Sequence, residues 1–130
     1  MTDPISDFLT RIRNACRAGH RRVDVPASNL KLQIAELLVK LNFLRSVDFI
    51  EDNKQGTLRI RLKYTPDSKS VISGMERVSR PGLRTYLTRK ELVKSARGMG
   101  TTILSTSRGL MTDTNALETG VGGEALFKIW

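Results

Sequence analysis

The sequence contains very little of the chemistry that proteins use for redox, metal and disulfide sites. Among 130 residues there is one cysteine, Cys16, and one histidine, His20. A single cysteine excludes an intramolecular disulfide and a thiolate metal centre, and it is typical of a reducing, cytosolic compartment. His20 has no partner in the neighbouring sequence, so we predict no metal site, no catalytic histidine and no cofactor.

Long apolar runs are also absent. No segment approaches the roughly 20 apolar residues that a membrane span requires. The N-terminal sequence MTDPISDF has no basic region followed by an apolar stretch, which is the pattern of a secretory signal. We therefore expect a protein that is neither exported nor embedded in a membrane. Its length suits one compact domain or two small ones.

Acidic residues are the minority among the charged residues, with 13 Asp and Glu against 22 Lys and Arg and a net charge of +9. A bias of this size suits a polyanionic partner. The bias is sharpest between Arg77 and Arg108, where eight basic residues accompany one acid, Glu91. We therefore expect the polyanion to meet this region.

The apolar pattern of residues 1–65 predicts an N-terminal domain with the element order α-β-α-β-β. Its first helix places Ile5, Phe8, Leu9, Ile12 and Cys16 on one face. The predicted elements are a helix from Pro4 to Gly19, a strand at 23–25, a helix capped by Ser28 or Asn29 that runs to about Asn42, and a hairpin around the turn 52–56. Residues 66–70 are polar and contain Pro66, which predicts a linker.

Residues 71–130 predict a second domain that is mainly β with one short helix, so the whole chain belongs to the α+β class. Thr88 and Glu91 have the spacing of a capping box at the start of that helix. Cys16 and Trp130 are interpreted as core residues. The predicted elements are strands at 71–78, 83–87, 101–107, 110–112 and 124–130, a helix at 88–96, and a brief turn at 113–118 capped by Asp113.

The segment TTILSTSRGLMTD at 101–113 is the most informative part of the chain. A β-type run ends in Ser105, Thr106 and Ser107, whose short side chains donate and accept hydrogen bonds from a stiff backbone. No His, Cys or second carboxylate stands beside them, so an activated nucleophile would lack its base. In these basic surroundings we favour direct contact with nucleic acid over a polar strand end.

A second candidate group is formed by Gly122, Gly123 and Glu124. No Gly-Lys-Ser element or helix follows, so the segment does not match a phosphate-binding loop. It is either a tight connection or a place where backbone approaches a ligand closely, with Glu124 accepting a hydrogen bond from an exocyclic amine.

Basic residues near an aromatic ring form the third group. Arg80 and Arg84 flank a turn close to Tyr86, which either stacks on an unpaired base or is a core tyrosine beside a solvated turn. Lys31 and the basic pair at 21–22 either contact phosphates or are ordinary surface charge.

These residues resemble the bacterial-type small-subunit ribosomal protein eight family. The family signature is Gly-x2-two apolars-Ser-Thr-Ser-x-Gly-x-Met-Thr-Asp, and it is filled by Gly100, Ile103, Leu104, Ser105, Thr106, Ser107, Gly109, Met111, Thr112 and Asp113. Further matches span the chain, at 3–15 (DPISDFLTRIRNA), 25–28 (VPAS), 77–84 (RVSRPGLR) and 122–124 (GGE). At Leu117 the chain departs from the family, which usually has a basic residue there. The resemblance therefore does not imply a phosphate contact at this position.

The resemblance implies two tightly apposed domains that bind the central domain of small-subunit ribosomal RNA and help to assemble the platform. It implies a monomer within a cytoplasmic ribosome, or an organelle stroma or matrix ribosome if organelle-encoded, beside small-subunit proteins five and twelve. It also implies repression of its own operon's translation in some bacteria. The expected RNA-binding residues are Ser105, Thr106, Ser107, Gly122, Gly123 and Glu124, with Tyr86, Arg84, Lys31 and Arg80 as further contacts.

Two other classes of function compete with this interpretation. An RNA-processing enzyme would use Asp113 and Glu124 as a metal-binding carboxylate pair. A DNA-binding β-strand protein would prefer duplex DNA to structured RNA. We predict a protein that is not an enzyme, because little acidity surrounds the serines.

Overall fold

The computed structural model describes residues 3–130, and Met1 and Thr2, which begin the predicted first domain, lie outside the described residues. The chain divides into two compact units, one of residues 4–73 and one of residues 74–130 with Asp3. Helices and antiparallel sheets occur in both, which confirms the predicted α+β class. The predicted linker, 66–70, lies in the first unit, where a hydrogen bond of 2.7 Å from Thr65 N to Lys69 O closes a turn.

The first unit has the predicted order α-β-α-β-β. Its three strands form an antiparallel sheet in the order β1-β3-β2, so the last strand is central. Ser28 is the N-cap of the second helix and accepts a hydrogen bond of 3.2 Å from Lys31 N. The elements are α1 (Pro4–Arg17), β1 (Arg22–Pro26), α2 (Asn29–Lys40), β2 (Leu44–Ile50) and β3 (Thr57–Leu62).

The core of the first unit follows from the period of its elements. Helix α1 buries Ile5, Phe8, Leu9 and Ile12 as predicted, but Ala15 is buried where Cys16 was expected. Ala15 lies three and seven residues after two of the buried positions, so it completes the same helical stripe, and Cys16 is only partly buried. Strand β3 buries every second residue.

The second unit contains five strands and two helices. Strand β8, the last in the sequence, lies inside the sheet, whose order is β4-β8-β6-β7, and β5 also pairs with β8. Both hydrogen bonds of the predicted capping box are present between Thr88 and Glu91. The elements are β4 (Met75–Arg77), β5 (Tyr86–Leu87), α3 (Arg89–Arg97), β6 (Thr101–Thr106), β7 (Gly109–Thr112), α4 (Asp113–Thr119) and β8 (Gly123–Ile129).

Several boundaries in this unit differ from the sequence predictions. The strands predicted at 71–78 and 83–87 shorten to β4 and β5, since Arg80 and Leu83 bond to each other's backbone in a turn. Thr112, not Asp113, caps α4, because Asp113 turns inward and is buried. Trp130, interpreted as core, is 42% exposed, with its ring lying over Gly74.

Candidate nucleic-acid interface

Three strands of the second unit place the predicted site residues side by side. In the sheet register Glu124 of β8 lies opposite Tyr86 of β5 on one side and opposite Ser105 of β6 on the other. The next step along the strands aligns Gly123 with Leu87 and Thr106. Residues that are 19 to 38 positions apart in sequence are therefore neighbours on one sheet, and we call Tyr86, Glu124 and Ser105 the cross-strand row.

Gly123 is the residue that lets β8 and β6 approach at this point. A Cβ atom at this position would lie 2.5 Å from the Ser105 carbonyl oxygen and 2.9 Å from Thr106 Cγ2. At Gly122 a Cβ atom would lie 2.9 Å from the Leu87 carbonyl oxygen. Both glycines are needed for close packing of backbone against backbone.

Glu124 is held on one side and open on the other. Its Oε2 atom accepts hydrogen bonds from Ser79 Oγ at 2.6 Å and from Arg84 Nη1 at 3.0 Å. Burial alone would raise the pKa of Glu124, but the hydrogen bonds from Ser79 and Arg84, with the charges of Arg84 and Arg77, outweigh it and leave this pKa below its usual value. Within the described residues, Oε1 has no hydrogen-bond partner. The carboxylate thus presents one fixed, ionised acceptor.

The three hydroxyl residues at the end of β6 are not equivalent. Thr106 Oγ1 donates to the Gly109 carbonyl at 2.8 Å and accepts from Arg108 N at 3.1 Å, so it closes the β6–β7 turn. Ser105 and Ser107 are exposed, and in the described part of the chain their hydroxyl groups bond to no other residue. Ser105 and Ser107 are therefore the hydroxyls free to meet a ligand.

Aromatic and basic residues surround the cross-strand row. Tyr86 is 64% exposed, so the alternative of a core tyrosine is wrong. Arg80 begins the turn that leads to it, and Leu83 in that turn is 75% exposed. Arg77, at the start of the basic region, differs from the rest: its side chain is buried and pairs with Asp3 at 3.2 Å, so it is not available to a polyanion.

Lys31 belongs to a different unit of the chain from these residues. It belongs to α2 of the first unit, and its Nζ atom donates to the Pro26 carbonyl at 3.2 Å. Only one of its three N–H groups is used in this contact, so the ammonium retains donors for a phosphate. The structure therefore brings together the predicted residues of the second unit, while Lys31 belongs to a separate element.

Ser79 is a site residue that sequence reasoning missed. It is fully buried, donates to Glu124 and accepts a hydrogen bond of 3.0 Å from Thr85 N. The sequence places it in the turn segment SRPG, which indicates an exposed residue. No local pattern indicates its burial, which depends on its hydrogen bonds to Glu124 and Thr85.

The carboxylates required by the enzyme hypothesis are engaged elsewhere. Asp113 accepts from Ser95 Oγ at 2.6 Å, and Ser95 Oγ lies 3.1 Å from Thr102 Oγ1, in a partly buried network joining α3, β6 and α4. Glu124 is held by Ser79 and Arg84. Across residues 3–130, no group of three or more His, Cys, Asp or Glu side chains is arranged to hold a metal ion.

Two further observations concern the surroundings. Leu117 packs against the apolar cluster formed by Leu92, Leu104, Ala116 and Ala125, so it supports the sheet behind the site and makes no contact of the kind a basic residue would. None of the helices in the described residues has the length and apolar character needed to cross a bilayer.

The fold and the surface define a small α+β protein with an exposed polar face, flanked by arginines, on antiparallel strands. The family model described as Ribosomal protein S8 matches residues 3–130. The proteins named small ribosomal subunit protein uS8 from Streptococcus gordonii, Syntrophomonas wolfei and Streptococcus pneumoniae are 54%, 50% and 53% identical to the chain. Each alignment covers all of this chain and 98% of the relative. The chain belongs to the ribosomal protein S8 family.

Proposed function

We propose that the chain is a structural constituent of the small ribosomal subunit and binds small-subunit ribosomal RNA directly, in its central domain. The observation that carries this proposal is the cross-strand row, in which an exposed tyrosine, an ionised carboxylate and a free hydroxyl share one basic sheet face. The family to which the chain belongs, and the names of its relatives, support the same conclusion. As a primary binder the protein orders the platform during assembly.

The chemistry of the row suits an irregular RNA helix. The major groove of A-form RNA is too narrow for side chains, so recognition uses the shallow minor groove, 2′-hydroxyls and unpaired bases. Ser105 and Ser107 supply short donors and acceptors for 2′-hydroxyls, Glu124 Oε1 accepts from an exocyclic amine, and the Tyr86 ring stacks on an unstacked base. Close packing at Gly123 keeps these groups at fixed separations.

Charge supplies most of the affinity in this proposal. Arginine and lysine side chains displace the counterions of RNA phosphates, so log affinity falls with log salt at about 0.7 to 0.9 per neutralised phosphate. Arg80 contacts phosphate, while Arg84 both orients Glu124 and presents its remaining N–H groups to the RNA. Lys31 extends the phosphate contacts from the first unit.

The test is a binding titration of the purified chain against a transcript of the central domain, at salt concentrations between 50 and 500 mM (roughly a tenfold range). We expect binding that weakens steeply with salt and a clear preference over random RNA duplex of equal length. Duplex DNA is the second competitor, and equal competition by DNA would favour the DNA-binding alternative. A complex that is insensitive to salt, or one without preference for the transcript, refutes the proposal.

The double variant Ser105→Ala, Ser107→Ala locates the recognition surface, because both hydroxyls are exposed while the Thr106 hydroxyl closes the turn. It should weaken the cognate transcript more than random duplex, because hydroxyl contacts to a particular RNA shape are lost while the charges stay. The matched control is Thr114→Ala, Thr119→Ala on α4, which removes two hydroxyls elsewhere in the same unit. Equal loss on both RNAs would contradict direct recognition by these hydroxyls.

We further propose a structural, non-enzymatic role as a monomer beside small-subunit proteins five and twelve. The ribosome is cytoplasmic, or that of an organelle if the gene is organelle-encoded. The nuclease alternative requires Asp113 and Glu124 as metal ligands, but both carboxylates already accept hydrogen bonds from other side chains. Incubation of the transcript with the chain, with and without chelator, should leave the RNA intact in both cases. Where the chain also represses its own operon, the messenger segment should compete with ribosomal RNA for the cross-strand row.

A further inference from the structure

The outer face of the first unit's sheet carries two rows of charged residues with opposite character. One row aligns Asp24 of β1, Arg59 of β3 and Asp48 of β2. Arg59 donates to both oxygens of Asp24, at 3.1 and 3.2 Å. The hydrogen bond from Arg59 lowers the pKa of Asp24. Arg59 is therefore paired within its own row, whose two aspartates and one arginine sum to a charge of −1.

The next row on this face, two residues along each strand, contains two arginines and no carboxylate. It aligns Arg22 of β1 with Arg61 of β3 and Ser46 of β2. Like charges directly opposite each other on antiparallel strands are destabilising. Arg21 precedes β1, and Arg45 lies at a β-bulge of β2 that shifts the register before Ser46. The arrangement concentrates positive charge at one end of a small sheet.

The four arginines are exposed, and none of them has a carboxylate oxygen within 4 Å in residues 3–130, although the charges of Arg22 and Arg61 act on Asp24 from a greater distance. Ion pairs within 4 Å in this part of the chain involve Arg11, Arg59, Arg77 and Arg84 instead. An unpaired cluster of this kind stores repulsion that a bound anion would relieve. We call Arg21, Arg22, Arg45 and Arg61 the sheet arginines.

Three of the sheet arginines surround a depression in the surface. Arg21, Arg45 and Arg61 line an open cavity of about 710 Å³, with Gly19, Leu62, Tyr64 and Ser68 completing its wall. The Tyr64 hydroxyl donates to the His20 carbonyl, which fixes the ring in the wall. The cavity is thus a preformed concave surface with guanidinium groups from three separate segments of the chain.

We propose that the sheet arginines bind RNA sugar–phosphate backbone, in addition to the RNA contacts of the cross-strand row. This inference rests on the proposed RNA binding of the chain. Guanidinium groups present planar pairs of N–H donors that match phosphate oxygens. Protein–nucleic-acid interfaces are strongly positive, whereas the cores of protein–protein interfaces are depleted of charged residues, so an RNA strand fits this cavity better than an acidic protein segment does.

The test compares two double variants of the full chain. The first, Arg45→Ser with Arg61→Thr, removes two sheet arginines and keeps residues suited to a sheet surface. The control, Arg11→Gln with Arg59→Thr, removes the same charge from arginines that already have carboxylate partners. Affinity for the complete small-subunit RNA is measured over a range of salt. Urea unfolding establishes that both variants fold.

The first variant should lose about two phosphate contacts. Its slope of log affinity against log salt should then decrease by about 1.4 to 1.8, with affinity at 0.1 M salt falling roughly 25- to 60-fold. The control should keep most of the wild-type slope. A charge-conserving variant, Arg45→Lys with Arg61→Lys, should retain the slope while losing part of the affinity.

Several outcomes overturn the proposal. If the Arg45→Ser, Arg61→Thr variant keeps the wild-type slope of log affinity against log salt, the cavity makes no phosphate contacts. If the control variant shows an equal decrease in slope, the effect comes from net charge alone. Polyglutamate and a phosphodiester polymer are also compared as competitors of the RNA. If polyglutamate displaces the RNA equally well, the cavity is assigned to an acidic protein. Wild-type chain that fails to bind the RNA refutes the proposed function itself, which distinguishes the two failures.

Discussion

The hydroxyl oxygen of Ser79 lies 2.6 Å from Oε2 of Glu124, although the two residues are 45 positions apart. The same hydroxyl accepts the N–H of Thr85, so one buried group joins the turn before β5 to the carboxylate of β8. Because Ser79 and Arg84 both donate hydrogen bonds to Oε2 of Glu124, the orientation of the other carboxylate oxygen, Oε1, is fixed. The carboxylate is preorganised before any ligand binds.

Replacing Ser79 by alanine should destabilise the protein. The substitution leaves the partly buried Thr85 N–H without its partner Ser79 Oγ and removes a hydrogen bond to a charged oxygen, at a cost of about 1 to 3 kcal/mol in the free energy of unfolding. Urea denaturation measures the change. Ser105→Ala is the matched control, since its exposed hydroxyl bonds to no other described residue, and it should stay within about 0.5 kcal/mol of wild type. Equal stability of the two variants would contradict this role of Ser79.

The low pKa of Glu124 predicts a specific pH dependence of stability. A carboxyl group whose pKa is lower in the folded state stabilises that state above its unfolded pKa, near 4.5, and this contribution disappears as pH falls through the folded pKa. Glu124→Gln should cost about 1 kcal/mol at pH 7, because hydrogen bonds to charged groups contribute more than neutral ones. The difference between wild type and variant should shrink below pH 4.5, measured by urea unfolding at several pH values. A difference that grows on acidification would show the opposite shift.

Local features of this fold were predictable from sequence. The apolar spacing of α1, the capping box at Thr88 and Glu91, and the alternation in β3 depend on residues within a few positions of each other. Such patterns appear directly in the sequence because helix and strand periods are fixed by backbone geometry. The order of elements in the first unit follows from them.

The assembly of the candidate site was beyond sequence patterns. Only the pairing of β8 with both β5 and β6 makes Tyr86, Glu124 and Ser105 neighbours, and non-local pairing leaves no periodic signal. The burial of Ser79 depends on the same pairing, through Glu124. The exposed Trp130 shows the related problem that a large apolar residue predicts burial, although such residues also occur on protein surfaces.

Gly123→Ala should disturb the sheet at the centre of the candidate site. The added Cβ would lie 2.5 Å from the Ser105 carbonyl oxygen, which is backbone and cannot move aside alone, so β6 and β8 must separate. We expect a loss of about 1 to 3 kcal/mol, as for other overpacked positions, with weaker RNA binding. Gly82→Ala is the control, because nothing lies within 4 Å of its Cβ position. This control should be neutral or should stabilise the protein by up to about 1 kcal/mol, because alanine lowers the conformational entropy of the unfolded chain.

The neighbours Thr106 and Ser107 should separate stability from recognition. Thr106→Val keeps the shape of the side chain but removes the hydroxyl that closes the β6–β7 turn, so it should lower the free energy of unfolding by about 1 kcal/mol. Ser107→Ala should leave stability within about 0.5 kcal/mol, since the hydroxyl is exposed and bonds to no other described residue. Its effect should appear in RNA affinity, which falls roughly two- to tenfold for one lost hydrogen bond.

Thermal or urea unfolding and RNA titration on the same preparations test this division. If Ser107→Ala binds RNA like wild type, its hydroxyl faces solvent in the complex, and recognition at the end of β6 depends on Ser105 alone. If Thr106→Val is as stable as wild type, the hydrogen bond from its hydroxyl to the Gly109 carbonyl adds nothing to the turn. We expect the Thr106 hydroxyl to hold the turn and the Ser107 hydroxyl to bind RNA, because the first has two hydrogen-bond partners in the folded chain and the second has none among the described residues.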